Sequence, residues 1–146
     1  MKLTVNGQAV QATPPARMLL SEFLREELHL TGTHVGCDTS QCGACIVHLN
    51  GEAVKACSVL AVACDGADLR TIEGVEHRLQ EAMIRHHGLQ CGFCTAGVIM
   101  AGLDIIRRHG TALDRTLIRA ELEGNICRCT GYHGMVEAIY EVSRDV

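Results

Sequence analysis

The sequence has few aromatic residues, no cluster of basic residues and no long apolar run. Trp is absent and aromatic residues make up 3% of the 146 positions, so the core must be built from aliphatic side chains. The net charge is −4, and no basic segment provides the positive surface that nucleic-acid binding requires. No segment approaches the roughly 20 apolar residues of a membrane-spanning helix. We therefore expect neither a nucleic-acid partner nor a membrane span.

Signals for secretion and for common catalytic sites are also missing. The first residues lack the apolar stretch of a secretory signal, so we expect a cytoplasmic protein. The sequence contains no Ser/His/Asp pattern, no Gly-rich phosphate loop and no catalytic pair of carboxylates. What it does contain is nine cysteines. In a reducing cytosol, this number argues against a disulfide framework and favours metal binding or catalysis.

The hydrophobic period of the sequence changes near Gly74. Before this point, apolar residues alternate with polar ones, and Asn-Gly pairs at 6–7 and 50–51 separate such runs, which is typical of β-hairpins. One helix is predicted over residues 18–28. After Gly74 the apolar spacing indicates four short helices. The sequence therefore predicts an α+β protein, with a strand-rich domain over residues 1–74 and a domain of four helices over residues 75–146.

Local signals indicate where some of these helices begin and end. Thr95 is a candidate N-cap for the second of the four helices, and Gly110 is a candidate end for it. The third helix is expected to end at Gly124, and the fourth is expected to begin near Tyr132.

A first group of four cysteines has the spacing of plant-type ferredoxins. Cys37, Cys42 and Cys45 are separated by four and two residues, and Cys57 follows after eleven more. This spacing is typical of a [2Fe–2S] cluster, in which four thiolates bind two irons. We expect a loop to supply the first three cysteines and a strand of the next hairpin to supply Cys57. A zinc site matches this spacing poorly, and unligated thiols are the remaining alternative.

A second group consists of Cys91 and Cys94 and, after thirty-two residues, Cys127 and Cys129. Each pair precedes a predicted helix, and the N-terminus of a helix favours an anionic thiolate. A Cys-x-Cys pair is unusual for zinc, but it is no general cluster signature either. From the spacing alone, an iron–sulfur cluster is favoured and zinc stays open.

The other potential metal ligands do not form a pattern. Cys64 lies in an apolar run, and we expect it to be a buried small hydrophobic residue. The eight histidines are scattered, and the adjacent pair His86 and His87 points apart on a helix. We expect these histidines to be surface or capping residues.

Three segments that contain these cysteines resemble a known family. They are GCDTSQCGAC at 36–45, QCGFCT at 90–95 and GNICRCTGY at 124–132. In this order they resemble the small iron–sulfur subunit of the molybdenum hydroxylases, the xanthine oxidase family, and the resemblance extends over nearly the whole chain. Residues 38–40 look most similar to the small subunit of aerobic carbon monoxide dehydrogenase.

The resemblance implies a fold, two cofactors and two partners. The fold is an N-terminal β-grasp domain followed by a C-terminal four-helix bundle, each with one [2Fe–2S] cluster. A large subunit would carry a molybdopterin-type molybdenum cofactor close to the second group, with Gln90 and Cys129 approaching its pterin. The first group would pass electrons on to FAD, which a medium subunit would carry. The implied assembly is a heterotrimer or its dimer.

Under this interpretation the chain relays electrons one at a time and has no catalytic residue of its own. The substrate, for which carbon monoxide, an aldehyde and an N-heterocycle are candidates, would be oxidised on the large subunit. Two other hypotheses stay open: a free-standing ferredoxin-like carrier, and a zinc-stabilised binding module.

Overall fold

The computed structural model describes residues 1–37 and 39–145 of the chain. Asp38, on which part of the resemblance to carbon monoxide dehydrogenase depends, lies outside the described residues, as does Val146. In agreement with the predicted order, the strands precede the four longer helices. None of the helices within the described ranges combines the length and the apolarity of a membrane span.

Five strands form one mixed sheet in the order β2-β1-β5-β3-β4. The central strand β5 pairs in parallel with β1, and the other neighbouring strands pair antiparallel. This arrangement places the two sequential hairpins on either side of β5. The strands are β1 (Lys2–Val5), β2 (Gln8–Gln11), β3 (Ile46–Leu49), β4 (Glu52–Lys55) and β5 (Asp68–Arg70).

Both predicted Asn-Gly hairpin turns are confirmed. Asn6 and Gly7 have φ angles of 49° and 79°, and Asn50 and Gly51 have φ angles of 53° and 86°. Two successive residues with positive φ form the type I′ turn, whose twist matches that of the flanking strands. Asn and Gly are the residues that adopt this conformation at the lowest cost, which is why the pairs predicted the hairpins correctly.

The predicted helix over 18–28 begins at Leu20 and is only partly α-helical. A short α-helix, α1 (Leu20–Glu22), continues as a π-helical turn, Phe23–Glu27. The N–H of Leu28 donates to the carbonyl of Phe23 at 3.1 Å, which closes the wider turn. Leu20, Phe23 and Leu24 are buried against the sheet in the first of two cores.

The four predicted helices of the second half are all present. They pack around a second aliphatic core that includes Met83, Ile105 and Ile139. The last helix, α5, contacts each of the other three. The helices are α2 (Arg78–Arg85), α3 (Thr95–His109), α4 (Arg115–Glu121) and α5 (His133–Ser143).

The predicted C-terminal end of α3 is confirmed, but its predicted N-cap is not. Gly110 is the C-cap and has a φ of 53°, a conformation that glycine adopts without strain. The prediction of Thr95 as N-cap is wrong, because Cys94 is the N-cap and Thr95 is the first helical residue. The chain turns into the helix at a cysteine, which the sequence signals for capping do not cover.

Helix α3 connects the two cores. A Cβ atom added to Gly97 would lie 2.1 Å from the carbonyl oxygen of Gly43, so only glycine permits this approach. Three residues further along, the Nε2 of His48 in β3 donates to the carbonyl of Met100 at 2.7 Å. The helix is therefore held against both the sheet and the loop that precedes it.

Candidate metal centres

The first group of cysteines lies in the loop that precedes β3 and in the turn that follows β4. Cys37, Cys42 and Cys45 lie in the loop that leads into β3, as predicted. Cys57 lies in a 3-10 turn, Ala56–Ser58, and not in a strand. The predicted placement of Cys57 in a strand is wrong, because β4 ends at Lys55 and the chain then turns inward.

This turn brings Cys57 to the loop. The N–H of Ala56 donates to the carbonyl of Cys45 at 3.2 Å, and Cys57 is close enough to act on the pKa of Cys45. The N–H of Cys42 donates to the sulfur of Cys37 at 3.3 Å. Cys45 and Cys57 are buried, whereas Cys37 and Cys42 are partly exposed. The group therefore has a buried side and a side that faces the surface.

The backbone of the loop favours a thiolate at Cys37. The N–H groups of Cys42, Thr39 and Gln41 all point at its sulfur, and they lower the pKa of Cys37 to about 6. Burial has the opposite effect on Cys45, whose pKa it raises to about 11. A bound metal would offset this cost, because its positive charge stabilises the deprotonated form of a buried thiol.

The second group lies where two segments of the helical half meet. Cys91 and Cys94 lie at the N-terminal end of α3, and Cys127 and Cys129 lie in the segment that leads into α5. The sulfur atoms of Cys91 and Cys129 are 3.5 Å apart, and both residues are exposed. The other two thiols of this group, Cys94 and Cys127, are partly buried.

The environments of the second group differ from thiol to thiol. Burial, followed by the neighbouring thiol of Cys127, raises the pKa of Cys94 to about 12. Burial also acts on Cys127, but the hydroxyl of Thr130 and the nearby backbone N–H groups outweigh it, so the pKa of Cys127 is lowered. The N–H of Phe93 lowers the pKa of Cys91. The side-chain contact with Cys91 raises the pKa of Cys129, so thiols of lowered and raised pKa alternate along the second group.

A cavity of about 180 Å³ lies between the two groups of cysteines. All four cysteines of the second group line it, and Cys42 lines it from the first group. A set of thiolates is the soft donor set that suits iron–sulfur clusters and zinc. Within residues 1–37 and 39–145, no three candidate side chains converge as tightly as a single metal ion requires. Each group supplies four thiols, and a [2Fe–2S] cluster divides four thiolates between two irons, so the donor set of each group fits such a cluster.

Hydrogen bonds hold the two groups of cysteines against each other. The N–H of Ile126 donates to the carbonyl of Cys42 at 2.8 Å, and the buried Nδ2 of Asn125 donates to the carbonyl of Gly43 at 3.4 Å. Gly43 has a φ of +73°, and a Cβ atom there would lie 2.4 Å from the carbonyl oxygen of Gly124. The loop of the first group therefore touches the segment that carries Cys127.

The remaining predicted residues lie outside these two groups of thiols. Gln90 is exposed and directly precedes Cys91. Cys64 is completely buried in the first core, and burial raises the pKa of its thiol. Several histidines have local roles, as expected: His77 caps α2 by accepting the N–H of Leu79, and His86 contacts Glu141.

Three residues that were not predicted as site residues also support the site. The hydroxyl of Tyr132 accepts the N–H of Cys127 at 2.9 Å. Asn125 binds the loop of the first group, as described above. The Nζ of Lys55 donates to two carbonyls of the same loop. The only signal in the sequence was position, because Tyr132 and Asn125 lie close to Cys127, and Lys55 stands two residues before Cys57.

Comparison with known proteins gives matches over both halves of the chain. Residues 3–74 match the family of the 2Fe-2S iron-sulfur cluster binding domain, and residues 70–140 match the family of the [2Fe-2S] binding domain. These two families together span most of the chain.

Relatives and solved structures match nearly end to end. The gamma subunit of caffeine dehydrogenase from Pseudomonas sp. (strain CBB1) is 46% identical over 151 aligned positions, which cover 98% of this chain and 90% of the relative. The beta subunit of the 6-hydroxypseudooxynicotine dehydrogenase complex from Paenarthrobacter nicotinovorans is 42% identical, with 94% and 89% covered. A chain of quinoline 2-oxidoreductase from Pseudomonas putida 86 superimposes with a TM-score of 0.93 at 37% identity, with 99% and 91% covered.

Proposed function

Because the chain belongs to the family of small [2Fe–2S] subunits of molybdenum hydroxylases, we propose that it is the electron-transfer subunit of such an oxidoreductase complex. Two [2Fe–2S] clusters, when bound, each accept and release one electron at a time. The molybdenum cofactor and FAD belong to partner subunits. The chain holds one cluster through Cys37, Cys42, Cys45 and Cys57, and the other through Cys91, Cys94, Cys127 and Cys129.

The observation that carries this proposal is the hydrogen bond from the N–H of Ile126 to the carbonyl of Cys42. It joins a candidate ligand of the first group directly to the neighbour of Cys127, a candidate ligand of the second group. If metal served only to stabilise the fold, the two groups of cysteines would not need to lie against each other. Two redox centres that exchange electrons need this proximity.

The exposed surface around the second group supports its orientation towards the large subunit. Phe93 and Ile126, beside the exposed thiols of Cys91 and Cys129, are 48% and 54% exposed. Large apolar side chains at the surface mark interaction sites. We assign this surface, together with the exposed Gln90, to the subunit that carries the molybdenum cofactor, with Gln90 and Cys129 closest to the pterin. The partly exposed side of the first group then faces the FAD subunit.

The finer parts of the architecture belong to the same proposal. Residues 1–74 form a β-grasp ferredoxin-like domain, and residues 75–146 form a four-helix bundle. The chain assembles with one large and one medium subunit as a heterotrimer or a dimer of heterotrimers. The complex is cytoplasmic, which the use of nine cysteines without a disulfide supports.

The substrate binds on the large subunit, and the similarity to carbon monoxide dehydrogenase stays a prediction.

Purification of the native complex, with identification of the chains that accompany this one, tests the proposal. We expect about four irons and four sulfides per chain, and two distinct paramagnetic signals after reduction, because the two ligand environments differ. Zinc without acid-labile sulfide would instead support the zinc-stabilised module. A monomer that holds both clusters and is isolated without partners would support the free-standing carrier.

A further inference from the structure

Lys55 lies at the first group of cysteines without being a candidate ligand. It is the last residue of β4 and stands two residues before Cys57. Its Nζ donates to the carbonyl of Ser40 at 2.7 Å and to the carbonyl of Gln41 at 3.2 Å. One ammonium group therefore ties the loop that carries three of the cysteines to the strand that leads to the fourth.

The two carbonyls favour a positively charged side chain with several N–H donors at position 55. Ser40 has a φ of 60°, and its carbonyl and the next one along the chain both point at the same nitrogen. An ammonium group carries three donors and no acceptor, so it can satisfy both oxygens at once. Hydrogen bonds in which the donor is charged are stronger than neutral ones. A neutral apolar side chain at position 55 would leave both carbonyls without this partner.

The position of the charge matters as well as its hydrogen bonds. A Cβ atom added to Gly124 would lie 3.6 Å from the Nζ of Lys55, so the cation lies where the loop meets the segment leading to Cys127. Reduction adds negative charge to a cluster, and a nearby positive charge stabilises the reduced form by Coulomb attraction. Net charge and hydrogen bonding are among the factors that set the potential of an iron–sulfur cluster.

We propose that Lys55 is a positioning residue that fixes the ligand loop of the first group and raises the reduction potential of the [2Fe–2S] cluster bound there. This inference rests on the proposed function, because it requires a cluster at Cys37, Cys42, Cys45 and Cys57. Lys55 transfers no proton and forms no bond to iron. It acts through the two carbonyls and through its charge.

Redox titration of the cluster-loaded full chain, followed by electron spin resonance, tests this role. Lys55→Met removes the charge and the donors, Lys55→Arg keeps both, and Lys2→Met is the matched control. Lys2 is the only other lysine, and it is exposed on β1. We expect Lys55→Met to shift the oxidised-to-reduced ratio of the first cluster roughly tenfold towards the oxidised form at a fixed potential. This shift corresponds to a fall of about 59 mV in the reduction potential of the cluster. Lys55→Arg and Lys2→Met should leave that potential near the wild-type value.

The signal of the second cluster is the internal reference in every variant. Loss of about two irons in Lys55→Met, with full retention in Lys55→Arg, would support the positioning role directly. If Lys55→Met does not fold, Lys55→Gln, which keeps two N–H donors but carries no charge, still measures the effect of the charge on the potential. An unchanged potential in an uncharged variant with full iron, or equal shifts in the Met and Arg variants, would overturn the inference. Failure of the proposed function would appear separately, as wild-type protein without iron and sulfide.

Discussion

At the scale of single residues, Cys64 differs from the other eight cysteines in its distance from both groups of thiols. It is completely buried with aliphatic residues such as Leu20 and Leu69 in the first core. Its sulfur is 3.8 Å from the carbonyl of Leu60 and belongs to neither group of thiols. Its location is that of a packed hydrophobic residue, as the apolar run around it predicts.

We predict that Cys64→Ala keeps the full iron content and lowers the free energy of unfolding by about 1 kcal/mol, because the substitution removes one buried atom. Iron and sulfide analysis, together with urea unfolding, would measure both quantities. Cys57→Ala is the matched control, since the same substitution at a candidate ligand should remove about two irons. Loss of iron in the Cys64 variant would show that the ligand assignment is wrong.

Asp104 is a nearly buried carboxylate on the second core. Its carboxylate accepts hydrogen bonds from the guanidinium groups of Arg107, at 2.6 Å, and Arg108, at 2.9 Å. Burial raises the pKa of Asp104, but these two arginines outweigh it, so its pKa lies below the ordinary value of 3.8. A carboxylate with a lowered pKa in the folded state stabilises the fold above its unfolded pKa. This contribution to stability is lost as the pH falls through the pKa that the carboxylate has in the folded state.

We predict that Asp104→Asn lowers the free energy of unfolding by about 1 to 2 kcal/mol, since charged hydrogen bonds are lost and both arginines are partly exposed. The difference between wild type and variant should stay constant from about pH 8 to pH 5, because the carboxylate is ionised in both states throughout this range. Urea unfolding at several pH values would measure it. A difference that grew as the pH fell from about 6 to about 5 would contradict the lowered pKa, because the folded state would then take up the proton before the unfolded state does.

At the scale of elements, α3 is the helix on which the position of both groups of cysteines depends. Its N-cap is Cys94 of the second group, and it approaches the loop of the first group at Gly97. A Cβ atom at Gly97 would meet backbone atoms, namely the carbonyl oxygen of Gly43 and, at 3.0 Å, the Cα of Ala44. Backbone cannot move aside as a flexible side chain can, so this contact is rigid.

We predict that Gly97→Ala destabilises the protein by about 1 to 3 kcal/mol, since overpacking forces the loop away from the helix. Gly102→Ala is the matched control on the same helix, where a Cβ atom would meet only the side-chain ends of Leu79 and Ile139 at 3.0 to 3.2 Å. Its gain in helix propensity should bring it within about 1 kcal/mol of wild type. Thermal unfolding of both variants would compare them, and equal stabilities would contradict the rigid contact.

Two further segments have conformations that are less regular than their sequences indicate. The chain leaves β4 at Lys55 and places Cys57 in a 3-10 turn, and α1 widens into a π-helical turn after Glu22. After β4 and after α1, the next residues have the same apolar or β-forming character as the element before them. Packing against the rest of the protein decides the local conformation, and a sequence pattern contains no information about that packing.

At the scale of the whole molecule, the two halves are arranged so that the two groups of cysteines face different surroundings. The first group is partly exposed at Cys37 and Cys42, and the second group has exposed thiols at Cys91 and Cys129. The segments that carry the two groups meet through the bond from the N–H of Ile126 to the carbonyl of Cys42. In the proposed function, this arrangement gives each partner subunit access to one group.

We predict that Cys42→Ser and Cys127→Ser have different effects in the assembled complex, because serine is a harder and poorer ligand than thiolate for a cluster iron. In the Cys42 variant, substrate should still reduce the second cluster in a single turnover, but FAD should be reduced slowly or not at all. In the Cys127 variant, neither the first cluster nor FAD should be reduced. Rapid mixing with absorbance and spin-resonance detection would resolve these steps. Normal FAD reduction in the Cys42 variant would contradict the proposed order.

The sequence by itself determined the class of this protein and the grouping of its thiols. The spacing of the cysteines was informative because ligands of one cluster must lie close together, which restricts the loops between them. The Asn-Gly pairs predicted both hairpins, since few other residues tolerate two successive positive φ angles. The four helices of the second half followed from the period of their buried residues, because one face of each helix packs into the second core.

The tertiary structure alone decided how these parts meet. The bond from Asn125 to Gly43, the approach of Gly97 to Gly43 and the contact of Lys55 with the ligand loop join residues of different segments. Each is a hydrogen bond or a close approach between different elements. Periodicity and spacing describe one segment at a time, whereas such contacts depend on the relative placement of two segments, which only packing of the whole chain establishes.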